Sequence, residues 1–119
     1  LVSGITVGSK TTYKAQTAVS GRIMTRETAA TLQELMRNNV EVKYGAENFP
    51  GLTVCAKSGT AEVGDLKKPN AMFAGFVADE KYPLAFIVAI EDAGSGRQVC
   101  VPILSQVLSA CKELLDGQQ

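Results

Sequence analysis

Four consecutive residues, Lys57-Ser58-Gly59-Thr60, carry the densest chemistry in the sequence. The lysine offers a fixed cation, the hydroxyls offer hydrogen bonds, and the glycine removes the Cβ that would hold a ligand's backbone away. They directly follow the apolar run Leu52 to Ala56, so they close a β-like segment. This combination suits a strand edge that reads an anion, in particular a carboxylate, beside a serine acyl-transfer centre. A nucleophile for such a centre is not evident elsewhere in the sequence, which therefore reads as half of an active site.

Composition removes most other chemistries. The 119 residues contain no histidine, which excludes serine-histidine and cysteine-histidine mechanisms and most zinc sites. Any general base must be a lysine, a carboxylate or a tyrosine. Twelve basic residues balance twelve acidic ones, so no whole-chain field draws in nucleic acid or an anionic membrane. The longest apolar run, Leu84 to Ile90, is far short of the roughly 18 residues a membrane-spanning helix needs. Cys55, Cys100 and Cys111 show no CxxC spacing, and Cys100 and Cys111 would lie about 16 Å apart on one helix, beyond disulfide reach. Three reduced thiols are expected. No charged segment precedes an apolar stretch at Leu1, so no signal peptide is read and the chain is expected to be an excised piece or a processed product.

The elements that must position the motif follow from periodicity. Residues 1–24 mix Val, Ile and Thr with glycines and read as an irregular, extended lead-in. Thr25 can cap a helix from Arg26 to Asn39, whose stripe of Ala29, Leu32, Leu35 and Met36 predicts one buried face. Residues from Tyr44 to Gly51 read as a loop, and Leu52 to Thr60 as a strand. The apolar runs Ala71 to Ala78 and Leu84 to Glu91 predict an antiparallel hairpin. Because neither alternates with polar residues, cover on both sheet faces is expected, with Gly75 thinning the sheet where something packs closely.

After a flexible Ala93-Gly94-Ser95-Gly96, a helix is predicted from Gln98 to Asp116. Its apolar stripe is Cys100, Ile103, Leu104, Val107, Leu108, Cys111, Leu114 and Leu115. The fold class is α+β, an antiparallel sheet of about three strands with a helix on each face, in a single partial domain over residues 1–119.

Lysine, serine or threonine, then glycine occurs by chance in roughly one chain of this length in twenty, so the triplet alone is weak. A phosphate loop is one competing reading, since Gly51 and Lys57-Ser58 fall one substitution short of GxxxxGK[ST]. The intervening β-formers and the absence of a following helix argue against it. The wider pattern is more specific. Arg22 to Ala30, Lys57-Ser58-Gly59-Thr60-Ala61-Glu62, Ala71 to Phe76 and the strand ending at Glu91 together resemble the C-terminal part of a penicillin-binding protein transpeptidase domain. Met72 stands where that family usually has a tryptophan. No S-x-N triplet exists, and the sole SxxK, Ser109-Ala110-Cys111-Lys112, lies downstream on the polar face of the last helix, where its lysine would stay protonated.

The resemblance implies a D,D-transpeptidase that forms an acyl-serine from a peptidoglycan stem peptide, cross-links the cell wall, and is trapped by β-lactams. It implies that Lys57 supports proton movement and positive potential, Ser58 binds the substrate carboxylate, Gly59 gives clearance, and Thr60 lends its backbone N–H to the oxyanion hole and helps hold the carboxylate. Strict alternation sends Lys57 and Ser58 to opposite faces, so both can serve one ligand only if residues 54–60 form a sheet edge. The nucleophile would come from the remainder of the domain. No metal, cofactor or nucleic acid is implied. The parent protein would be extracytoplasmic, held to the membrane only through an N-terminal anchor outside this chain. The alternative is a naturally short, noncatalytic module that binds peptidoglycan or a partner through the same edge.

Overall fold

A computed structural model describes residues 3–64 and 67–117. Thr25 is extended and its hydroxyl accepts the amide of Thr28 at 3.1 Å, which starts α1 at Arg26 and carries it to Asn39. Glu27 in the first turn and Arg37 in the last both complement the helix dipole. Beyond Asn39, the stretch from Tyr44 to Gly51 that reads as a loop is partly turned. The chain continues through a π-helical turn, Val40–Tyr44, and a short 3₁₀ turn, Ala46–Asn48, burying Val40, Tyr44 and Phe49.

Strands β3 (Val54–Ala61), β4 (Asn70–Val77) and β5 (Ala85–Ile90) form an antiparallel sheet in the order β3-β4-β5. Among the described residues β3 is therefore an edge, as its chemistry requires. A separate hairpin of β1 (Gly4–Val7) and β2 (Lys10–Lys14) is exposed along its whole length, and residues 15–24 carry no helix or strand. This lead-in extends the molecule: its radius of gyration is 17.4 Å, against about 13–14 Å for a compact chain of this length.

Helix α2 runs from Gly96 to Asp116, starting two residues earlier than the sequence suggests. Pro102 consequently falls in the second turn, where the carbonyl of Gln98 loses its usual donor. α2 lies on the sheet face formed by Val54, Ala56, Ala71, Phe73 and Val77, and contributes Cys100, Val101, Leu104 and Leu108 to that core. Ile103, Val107 and Leu114 of the predicted stripe are exposed, because a three-stranded sheet touches only part of so broad an apolar face. Gly75 has the expected function: a Cβ there would collide with the carbonyl of Cys55 and the ring of Phe86, so its absence lets Phe86 lie across the sheet.

A helix lies on each face of the sheet, as expected, but the second face is covered only over β3. α1 packs against β3, where Asn39 donates to the carbonyl of Ala56 at 3.4 Å and Cys55 is fully enclosed. Over β4 and β5, however, Met72, Ala74, Ala85, Ile87 and Ala89 are exposed. α1 has no buried residue either, with Leu32 and Leu35 at 44% and 60% exposure. The apolar pattern that predicted double cover is present, but among the described residues nothing covers the part of this face over β4 and β5.

The connection between β4 and β5 is fastened to the end of α2. The Tyr82 hydroxyl donates to Asp116 at 2.7 Å, and Lys81 and Lys112 pair with the same carboxylate at 2.7 and 2.9 Å. No helix among the described residues is long and apolar enough to cross a membrane.

Candidate functional site

The register of β3 decides which way its backbone faces. Ala78 donates to the carbonyl of Thr53 at 2.8 Å, so Thr53 and, by alternation, Cys55, Lys57 and Gly59 turn their N–H and C=O groups toward β4. Ala56, Ser58 and Thr60 turn theirs outward, along the free edge. Two outward groups confirm this: the carbonyl of Ala56 accepts from Asn39, and the amide of Ser58 donates to the Tyr44 hydroxyl at 3.0 Å. α1 and the turn after it thus close the inner half of the edge. Among the described residues, no strand lies along the outer half, from the carbonyl of Ser58 through Thr60.

Lys57 and Ser58 do lie on opposite faces of the pleat, yet both reach this edge. Lys57 is exposed, and its ammonium curls round to donate to the outward carbonyl of Ser58. Ser58 is half-buried opposite Phe73, and its hydroxyl is 2.9 Å from the Tyr44 hydroxyl. The Tyr44 ring in turn meets Phe73 edge-on with centroids 5.0 Å apart. Gly59 is opposite Met72, where a Cβ would make ordinary contact at 3.4 Å. Thr60 is exposed next to the open edge. The structure therefore brings all four motif residues to one stretch of strand.

Three contributors escaped sequence reasoning. Gly96 begins α2 directly over the motif: a Cβ there would collide with the carbonyl oxygens of Gly59 and Met72. Its absence seats the helix N-terminus, with its partial positive charge, against this part of β3. Asn39 and Tyr44 close the inner edge. A tyrosine next to a Gly-rich stretch was the available signal, since a buried phenol ordinarily finds a hydrogen-bond partner. Burial would raise the Tyr44 pKa, but the hydrogen bonds it shares with the Ser58 hydroxyl and amide, with the charges of Lys57 and Lys43, outweigh it and hold the phenol below the usual tyrosine value.

The downstream Ser109-Lys112 pair is not a nucleophile with its base. Lys112 donates to Asp116 at 2.9 Å, and that bond, with Tyr82, raises its pKa and keeps it protonated. The three cysteines are free; Cys55 and Cys100 are buried, and burial pushes both thiols up.

An α+β unit of this kind, with an antiparallel sheet backed by a C-terminal helix and edged by Lys-Ser-Gly, defines the penicillin-recognising class of folds. The penicillin binding protein transpeptidase domain matches residues 1–109, and the chain belongs to that family. Among solved structures, penicillin-binding protein A from M. tuberculosis, captured as an imipenem acyl-enzyme complex, is similar with a TM-score of 0.66 and 27% identity. That similarity covers 85% of this chain and 23% of the other, so the chain spans about a quarter of its structural neighbour. No curated protein matches it.

Proposed function

We propose that this chain forms the carboxylate- and oxyanion-binding wall of a serine D,D-transpeptidase, whose nucleophile is carried by residues outside it. The observation that carries the reading is the open edge from Ser58 to Thr60, with a cation parked on it. An extended acyl donor would add as a strand along this edge. Lys57 would leave the Ser58 carbonyl to meet the donor's charge, and the Ser58 hydroxyl would bind its terminal carboxylate. The outward N–H of Thr60 would stabilise the oxyanion as the acyl-serine forms. Gly59 keeps the strand slim where the donor lies.

The substrate on this reading is the stem peptide of peptidoglycan, with β-lactams acylating the same serine. The imipenem complex of the structural neighbour supports that part. The bare face over Met72, Ala74, Ala85, Ile87 and Ala89, with the exposed stripe of α1, would be covered by the remainder of the transpeptidase domain. The parent protein would work outside the cytoplasm, anchored to the membrane through an N-terminal segment.

Labelled penicillin tests this. The isolated chain should stay unmodified, while the full-length polypeptide should be acylated on a serine that mass spectrometry maps outside these 119 residues. Modification of a serine within the chain would refute the assignment of the nucleophile.

A further inference from the structure

We propose that Tyr44 is a positioning residue for Ser58: its phenol anchors the Ser58 amide and turns the Ser58 hydroxyl proton outward, toward the carboxylate of the acyl donor. This rests on reading Ser58 as the carboxylate-binding hydroxyl. The hydrogen-bond inventory carries it. The Ser58 amide can only donate, so the 3.0 Å contact fixes the Tyr44 oxygen as its acceptor. The phenol keeps one proton, and the Ser58 hydroxyl oxygen lies 2.9 Å away.

Two orientations of that second bond are possible, and a ligand chooses between them. If Ser58 donates to Tyr44, it shows lone pairs to an incoming carboxylate, which is itself acceptor-only. If Tyr44 donates to Ser58, the serine proton is free for the carboxylate. Binding therefore selects a relay from phenol to serine to carboxylate, in which each hydrogen bond polarises the next. The ring is held for this purpose. It is 6% exposed, packs edge-on against Phe73, and is followed by Gly45, whose φ of 84° ends the turn.

The surrounding charges act in the same direction. Lys57 on β3 and Lys43 on the same turn as Tyr44 are the cations that act on the phenol, while β4 presents the uncharged ring of Phe73. They make the phenol a stronger donor. Once it ionises, the phenolate can only accept, so the Ser58 hydroxyl donates to it rather than to the ligand and a negative charge sits beside the ligand; carboxylate binding should therefore fail on the alkaline side.

The test uses the full-length polypeptide and one β-lactam in two forms, the free acid and its methyl ester. Tyr44→Phe should slow acylation by the free acid about five- to twentyfold, as expected for weakening a hydrogen bond to a charged group. Acylation by the ester should stay within about twofold, because it offers no carboxylate for the relay. The alkaline fall in free-acid acylation should be weaker in Tyr44→Phe than in the unmutated protein. Adding Tyr44→Phe to Ser58→Ala should cause no further loss. Equal losses for acid and ester would show a merely structural tyrosine and overturn the proposal, as would an unchanged free-acid rate. Absence of acylation in the unmutated polypeptide would instead overturn the transpeptidase reading itself.

Discussion

Replacing Gly96 by alanine tests how α2 is seated on the motif strand. The new Cβ would collide with the carbonyl oxygens of Met72 and Gly59 and approach the Met72 amide nitrogen to 3.1 Å. All three obstacles are backbone atoms of paired strands, so no side-chain rotation relieves them. Either α2 lifts or the β3–β4 ladder yields. Overpacking costs about 1–3 kcal/mol, and two collisions with backbone oxygens put this one in the upper part, about 2–3 kcal/mol. Alanine's better helix propensity returns at most about 1 kcal/mol. A net loss of about 1–2 kcal/mol corresponds to a fall in Tm of about 4–8 °C for a chain of this size. Thermal unfolding followed by circular dichroism measures it, with Gly21→Ala as the control, since a Cβ at Gly21 meets nothing within 4 Å. In the full-length polypeptide the same change should slow acylation by penicillin, because Gly59 carries the contact. An unchanged or raised Tm for Gly96→Ala would refute the account of how α2 is seated.

Other consequences are separable. Thr60→Pro removes an N–H that faces away from β4, so the fold should survive while acylation in the full-length polypeptide falls by about 10²-fold or more; an unchanged rate would remove Thr60 from the oxyanion hole. Asp116 is held well below the usual carboxylate value by Lys81, then Lys112 and Tyr82. A depressed folded pKa gives stability that is present above the unfolded value of about 3.9 and lost as pH falls below it. Urea unfolding across that range should therefore show a shallower acid loss in Asp116→Asn, and an identical slope would show that the hairpin clamp contributes nothing. Thiol labelling of the native chain should modify half-buried Cys111 before Cys55 and Cys100, whose burial also disfavours the thiolate.

What the sequence disclosed was mostly local. The bounds of α1, its Thr25 cap and the three strands follow from side-chain periodicity and one capping hydroxyl, which act within a few residues. The edge position of β3 was legible from chemistry, since Lys57 and Ser58 cannot otherwise share a ligand. Contacts that depend on distant residues were not legible. Tyr44 reads as loop because its burial depends on Phe73 and Ser58, which are 29 and 14 residues away along the chain. Gly96 reads as a flexible linker because its role depends on the backbones of Gly59 and Met72. The exposed stripe of α1 and the bare face of β4 and β5 are a different kind of discrepancy. Their apolar pattern encodes cover, and a pattern says that a face is to be buried without saying what buries it.

In the proposed function this strand edge holds the donor's carboxylate and oxyanion. A crystal structure of the full-length polypeptide acylated by a β-lactam tests it most directly. The ligand should lie along β3, with its carboxylate within hydrogen-bond reach of the Ser58 hydroxyl and the acyl oxygen about 2.7–3.1 Å from the Thr60 amide. A ligand whose carboxylate and acyl oxygen both lie away from Ser58 and Thr60 would contradict it.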